Sequence, residues 1–443
     1  ILTSLIITPF LLCINGCQNN NSLTVSDLRC ENLENPLGIN TLTPAFSWKN
    51  HSRQQGAAQS ACQILVASGK NLLNEDNEDL WNSGKINSSK SFYHPYDGEK
   101  LVSGKMYFWK VRFWDEQEKA SPWSQPAFFS VGLLKEDDWQ ASYIRLKTEG
   151  GYRECPQLFK EFNLNETQGP LLLSVNSLGY HEVWLNGKKA DSRVLTPAVS
   201  QFNKRSLANT YDVSDLVKKG RNELMICLVS GWYTQGLPGV SHNGPVVKAQ
   251  LTRHTGNHPE LIVATDSTWV GRESSYTRHG NWRPHRFGGE TVDGTLAKSD
   301  LNPDNDPARP WKPVTVTQHS GAVVSHQMTE PNAITDTIGP IQVTGLAPDT
   351  FLVDMGKNLT GWFEIEFPAL EKNQKITMEY CDHLDENGQF VNQRQSDFYI
   401  AAGEGREKFI NKFNYHGFRY VRISNLPEKP GILGCARWNR RGF

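Results

Sequence analysis

No stretch of the 443 residues sustains a 3.6-residue apolar period over fifteen positions, which removes helical folds before any motif is read. What recurs instead is alternation. Phe351-Leu352-Val353-Asp354-Met355-Gly356-Lys357-Asn358 opens one such stretch and Tyr415-His416-Gly417-Phe418-Arg419-Tyr420-Val421-Arg422-Ile423 closes it, both with the period of a half-buried strand. Between them Asp385-Glu386-Asn387-Gly388 supplies a turn, because Asn-Gly tolerates the positive φ angles that a tight reversal needs. Trp362 and Tyr415 read as core positions of this sandwich. With 38% hydrophobic and 10% aromatic residues, the chain can bury several such cores.

Taken in order, residues 1–22 are a tether, and residues 23–132 read as one small β-domain of immunoglobulin or fibronectin type III build. Cys62-Gln63-Ile64-Leu65-Val66-Ala67 and Tyr107 to Asp115 are its clearest strands, with Trp109 and Trp114 as core candidates. Lys135-Glu136-Asp137-Asp138 marks a charged connector. Residues 140–300 read as a larger jelly-roll sandwich. In it Asn186-Gly187 predicts a two-residue hairpin turn, and the unbroken apolar run Leu224 to Val229 predicts a strand covered on both faces. Pro307-Ala308-Arg309-Pro310-Trp311 punctuates a linker, and residues 312–428 form a second sandwich. The expected fold is all-β, three tandem β-sandwiches, with a tail at 429–443 that fits none of them.

Net charge is −1 and the pI near 6.9, so nothing attracts nucleic acid. The eight cysteines include no C-x-x-C pair, which argues against zinc and thiol redox chemistry and favours buried free thiols. Residues Ile1 to Ile14 are nearly all apolar, too short to span a bilayer but fit for the core of a secretory signal. Ile14-Asn15-Gly16-Cys17 follows, resembling a bacterial lipobox, so the expectation is an exported lipoprotein of a Gram-negative bacterium, periplasmic or outer-membrane, held to the membrane only through a lipid on Cys17.

Motifs for catalysis are missing: no G-x-S-x-G, no H-E-x-x-H, no phosphate-cradling loop and no dinucleotide fingerprint. His279, His285 and Glu290 match no metal-ligand spacing, and neither metal nor cofactor is expected. Asp354, Asp382, Asp385 and Glu386 sit at strand ends and turns, where backbone geometry alone asks for acids. Aromatic residues of sandwiches sometimes grip sugars, and the loop 278–290 is the most chemically varied of the chain. The candidate sugar-contacting residues are Trp184, Trp232, Tyr233, Trp282, Arg283 and His285.

Several separate motifs carry a family resemblance. Val183-Trp184-Leu185-Asn186-Gly187-Lys188-Lys189, Leu195-Thr196-Pro197, Asn203-Lys204-Arg205, Tyr211 to Leu216, Gly231-Trp232-Tyr233 and Gly288-Gly289-Glu290 with Asp293 resemble the N-terminal sandwich of bacterial α-L-rhamnosidases, glycoside hydrolase family 78. Asp354-Met355-Gly356-Lys357-Asn358 with Gly361-Trp362, Asp397-Phe398-Tyr399-Ile400 and Tyr415 to Tyr420 resemble the family's next sandwich, with Met355 and Lys357 in place of the usual Phe and Gln. Leu28 to Asn32 and Asn35 to Ile39 are similar to the domain many members carry in front.

The resemblance implies an inverting hydrolase that removes terminal α-L-rhamnose from plant glycans or glycosides, with rhamnose-containing oligo- or polysaccharide as partner. Its two carboxylates lie on an (α/α)6 helical barrel that follows the sandwiches, and that barrel is not in this sequence. No catalytic residue is therefore carried over, and the chain is expected to be inactive alone. The last dozen residues read as the product of a frameshift or a broken gene model. The rival reading is a free-standing carbohydrate-binding lipoprotein.

Overall fold

The computed structural model describes residues 23–234, 237–242, 244–254, 259–280, 287–300, 302, 306–319 and 322–440, with side chains undescribed at Tyr152 and at 432–440. The proposed signal and Cys17 fall outside these residues, as do Trp282, Arg283 and His285. The chain is all-β, and the only α-helix among the described residues is the four-residue turn Gly294–Ala297. The chain divides into two compact units.

The first unit comprises the described part of Ile1–Glu34 together with Ala45–Glu99 and Phe108–Ala127. Thr24–Cys30, Ala45–His51 and His94–Pro95 form one antiparallel sheet, while Gln59–Ala67 pairs with Trp81–Asn82, Ile86–Asn87 and the Met106–Asp115 strand in another. Phe46 of the first sheet meets Trp109 of the second at 4.5 Å between ring centroids, so the two sheets share a core. Along Met106–Asp115 the alternation holds: Trp109, Val111 and Phe113 point inward. Trp114 does not join them; it lies on the opposite face beneath Lys85 and Arg112, each 5.0 Å from its ring.

The second unit comprises Asn35–Pro44, Lys100–Tyr107 and the described chain from Phe128 onward. One sheet runs in the order Thr315–Thr317, Tyr143–Arg145, Val246–Arg253, Leu171–Leu178, Arg205–Asp212, Val323–His326. Facing it across a core of Leu158, Leu173, Val175, Ile226, Leu228, Val247 and Trp269 lie Tyr180–Leu185, Gly220–Val229, Glu154–Leu164 and Val270–His279. The run Leu224 to Val229 belongs to a strand paired on both sides, which explains its unbroken apolarity. Asn186 (φ 51°) and Gly187 (φ 75°) reverse the chain between Leu185 and Lys188 in the doubly positive turn that an Asn-Gly pair favours.

This second sheet does not stop at Val270–His279. Gly289–Asp293 pairs antiparallel with it and parallel with Gln395–Ile400, and the ladder continues through Lys375–Cys381, His416–Ser424 and the eighteen-residue strand Thr350–Phe367. Gly431–Arg440, where a non-conforming tail was expected, forms a strand between Thr350–Phe367 and Asn332–Ile338. Val353, Phe363, Ile365, Phe367, Met378, Tyr380, Tyr399 and Phe418 fill a further core. Each buried side chain of this size contributes about 1.5–3 kcal/mol through lost apolar exposure.

Candidate functional site

The site begins at the strand Gly289–Asp293, which joins two sandwiches into one hydrogen-bonded sheet. The residues before it explain the Gly288-Gly289-Glu290 motif. Gly288 has φ +79°, and a Cβ there would collide with the His279 carbonyl oxygen; a Cβ on Gly289 would collide with that of Ser396. Only glycines let the backbone come this close to its antiparallel neighbour at His279 and its parallel neighbour at Ser396.

Glu290 then projects into a sealed polar network. Its Oε1 accepts from the backbone N–H of Lys412 at 2.7 Å and from Asn411 Nδ2 at 3.0 Å, and its Oε2 from Phe413 N–H at 3.1 Å. Beside it Asp397, fully buried, accepts from Glu290 N–H at 2.8 Å, Tyr380 Oη at 2.7 Å, Asn411 Nδ2 at 2.7 Å and His416 Nε2 at 2.9 Å. Burial pushes the Glu290 carboxyl up to about 8, and the neighbouring Asp397 charge adds to the rise. Burial acts the same way on Asp397, but His416 and the donated hydrogen bonds outweigh it and hold that carboxyl below its ordinary value. Two close carboxyls are thus driven apart, one keeping its proton and the other its charge.

Tyr380 stacks on the His416 ring with centroids 3.9 Å apart. Asp397 and Tyr380 together fix that imidazole, and its outer side borders a cavity of ≈ 280 Å³. Trp232, Phe287, Gly288, Thr360 and Gln395 complete the lining with Asn414, Tyr415, His416 and Gly417. Gln395 is pinned too, its amide donating to the Gly417 carbonyl at 3.1 Å and accepting from the Gly417 N–H at 3.2 Å. The Asn414 amide lies 3.2 Å from His416 Nε2. The described walls are aromatic rings and polar hydrogen-bonding groups.

Of the residues picked from sequence, Trp232 lines this cavity. Tyr233, next to it, is completely buried: its ring meets Phe202 edge-on at 5.2 Å and its hydroxyl accepts from the N–H groups of Ser241 and His242. As a sealed core residue it offers no face to a sugar, which corrects its selection as a contact. Trp184 belongs to a separate cluster, where its indole lies 3.4 Å from Glu182 Oε2 and Lys412 stands 5.6 Å from its ring. There Glu182 receives Lys189 at 2.8 Å and Lys412 at 3.0 Å. Burial would raise the Glu182 carboxyl, but the two lysines more than offset it and hold it low; burial would lower Lys412, and Glu182 drives it up.

The acids read as structural take structural places: Asp354 grips Arg419 through two contacts of 2.9 Å, and Asp385 accepts from the N–H groups of Asn387 and Gln389 in its turn. The described cysteines Cys30, Cys62, Cys155, Cys227 and Cys381 are buried and free. Among the described residues no three metal-ligating side chains converge. Tyr415, read as core, packs half-buried against a core cluster and also borders the cavity; His416 was visible only within the Tyr415 to Tyr420 family motif, and Asn414 and Gln395 carried no sequence signal of a site.

Comparison with known proteins gives this architecture its class. Residues 25–135 match the Rha78A-like N-terminal immunoglobulin domain, 171–336 the α-L-rhamnosidase N-terminal domain, and 344–436 the bacterial α-L-rhamnosidase concanavalin-like domain. All three are domains of glycoside hydrolases.

An α-L-rhamnosidase of Formosa agariphila is 30% identical over 439 residues, covering 89% of this chain and 45% of that protein. Another from Alteromonas sp. is 31% identical over 418 residues, covering 90% and 45%. The solved α-L-rhamnosidase of Dictyoglumus thermophilum superposes with a TM-score of 0.83 at 28% identity, over 95% of this chain and 49% of that one. The chain carries, in this order, three domains found in bacterial α-L-rhamnosidases, and it spans about half the length of the relatives it matches.

Proposed function

We propose that this chain is the accessory sandwich region of an exported α-L-rhamnosidase, an inverting enzyme that removes terminal α-L-rhamnose from plant glycans or glycosides. The observation that carries the reading is the ordered run of three rhamnosidase domains together with the coverage of about half of each relative. In this reading the sandwiches hold and present, and the carboxylate pair that glycoside hydrolysis demands belongs to a separate helical barrel. The acids described above support it, since Asp397 and Glu290 are sealed in a network and Asp354 is clamped by Arg419.

Export through the apolar segment before Cys17, and lipidation of that cysteine, belong to the same proposal. The test is the purified chain on p-nitrophenyl α-L-rhamnoside, with host glycosidases excluded. No release of p-nitrophenol is expected; turnover by the chain itself would overturn the accessory role. The cavity beside Trp232 favours a second reading, a carbohydrate-binding lipoprotein that works without a hydrolase of its own.

A further inference from the structure

The cavity at the seam has the properties of a ligand site, and nothing in an accessory role requires it. Its ≈ 280 Å³ sits at the small end of small-molecule pockets, roughly 300–1,000 Å³, enough for one ring and too little for a chain of them. Among its described lining residues there is no Asp, Glu, Lys or Arg. Those residues offer an anionic occupant such as a uronic acid no counter-charge, and a cation none either.

What the lining does offer is aromatic surface from Trp232, Tyr415 and Phe287, and polar groups from Thr360, Gln395, Asn414 and His416. A pyranose has this duality, with C–H faces that lie on rings and equatorial or axial hydroxyls at the rim. The polar groups are also held in advance. Asp397, kept ionised, can only accept, so His416 Nε2 carries the hydrogen between them. That orients the ring and leaves Nδ1 as the second ring nitrogen, able to hydrogen-bond a hydroxyl. Gln395 is locked by its two bonds to Gly417, so an occupant loses little to ordering the walls.

We propose that this cavity is a binding site for a single neutral pyranose, stacked on Trp232 and hydrogen-bonded by His416 and Asn414. That the sugar is a 6-deoxyhexose of the rhamnose class rests on the function proposed above; that it is neutral and monomeric rests on the cavity alone.

The experiment titrates the full chain with methyl α-L-rhamnoside, methyl α-D-galactoside and methyl α-D-galacturonate, read by tryptophan fluorescence and calorimetry. Saturable millimolar binding of a neutral glycoside is expected, with the galacturonate at least about tenfold weaker. Thr360 is exposed on its strand, so Thr360→Trp can fill the cavity with the fold intact. It should weaken binding about tenfold or more at unchanged Tm; Trp232→Ala should weaken binding as much but also lower Tm, since this ring packs against the core, while Trp232→Phe keeps most of the affinity.

No saturable binding of either neutral glycoside, or binding undiminished in Thr360→Trp, would overturn the site. Binding of the galactoside alone, lost in Thr360→Trp, would uphold the site and remove support from the rhamnosidase reading.

Discussion

Replacing Asp397 by alanine tests the seam most severely. The carboxylate is wholly buried and accepts four hydrogen bonds, from Glu290 N–H, Tyr380, Asn411 and His416, at 2.7–2.9 Å. Asp397→Ala strands all four donors where water has little access. A buried donor left alone costs about 1–3 kcal/mol, and breaking a buried charged pair from one side about 3–5 kcal/mol. Asn411 keeps its bond to Glu290 at 3.0 Å, which limits that loss.

We expect a net loss of about 4 kcal/mol, a large share of the 5–15 kcal/mol typical of a folded domain. In calorimetry this lowers the corresponding transition by roughly 10 °C. Asp397→Asn keeps the volume and one acceptor and should fall in between. Because Glu290 shares the network, Asp397→Ala combined with Glu290→Gln should cost less than the two singles added. If Asp397→Ala melts within about 1 kcal/mol of the parent, the network does not hold the seam and the reasoning fails.

The Glu290 proton predicts a pH dependence. Above the ordinary carboxylate value of 4.5 the unfolded chain releases this proton, whereas the folded chain keeps it until about 8. Stability from this group is therefore fully present at and below about pH 4.5 and declines as pH rises toward 8, by at most about 5 kcal/mol. Thermal scans from pH 5 to 8.5 should show the decline, and Glu290→Gln should flatten it; a parent curve that rises over this window contradicts the assignment. Gly289→Ala should cost about 3 kcal/mol or more, since the new methyl meets the backbone of Ser396, whereas Gly339→Ala, with open space around it, should change denaturant midpoints negligibly. In a Gram-negative host, Cys17→Ser should move the protein from the membrane pellet to the supernatant; an unchanged distribution argues against the lipid anchor.

Local chemistry made parts of this fold readable. Asn186-Gly187 dictates its own turn, and the apolar run Leu224 to Val229 declares a strand flanked on both sides, because both signals lie within a few residues. The motif Gly288-Gly289-Glu290 was visible as a family mark, but its cause was not. The two glycines are required by His279 and Ser396, and Glu290 by Asn411, 121 residues away. No periodicity reports a partner at such distance.

The candidate site shows the same limit. Trp232 and Tyr233 look alike in sequence, yet Gly231, at φ +51°, turns the chain so that one ring reaches the cavity and the other is sealed against Phe202. Tyr415 and His416 read as ordinary alternation, and their place on the cavity comes from Gln395 and Asp397, on a strand twenty residues earlier that pairs elsewhere in the ladder.

The most direct test of the account is the nucleotide sequence that follows the codon for Phe443, translated in all three frames. The proposed accessory role predicts that one frame encodes roughly as much chain again, with sustained 3.6-residue apolar periodicity, in keeping with the 45% of the Formosa agariphila relative that this chain covers. An unrelated gene, or no open frame of helical character, would contradict it.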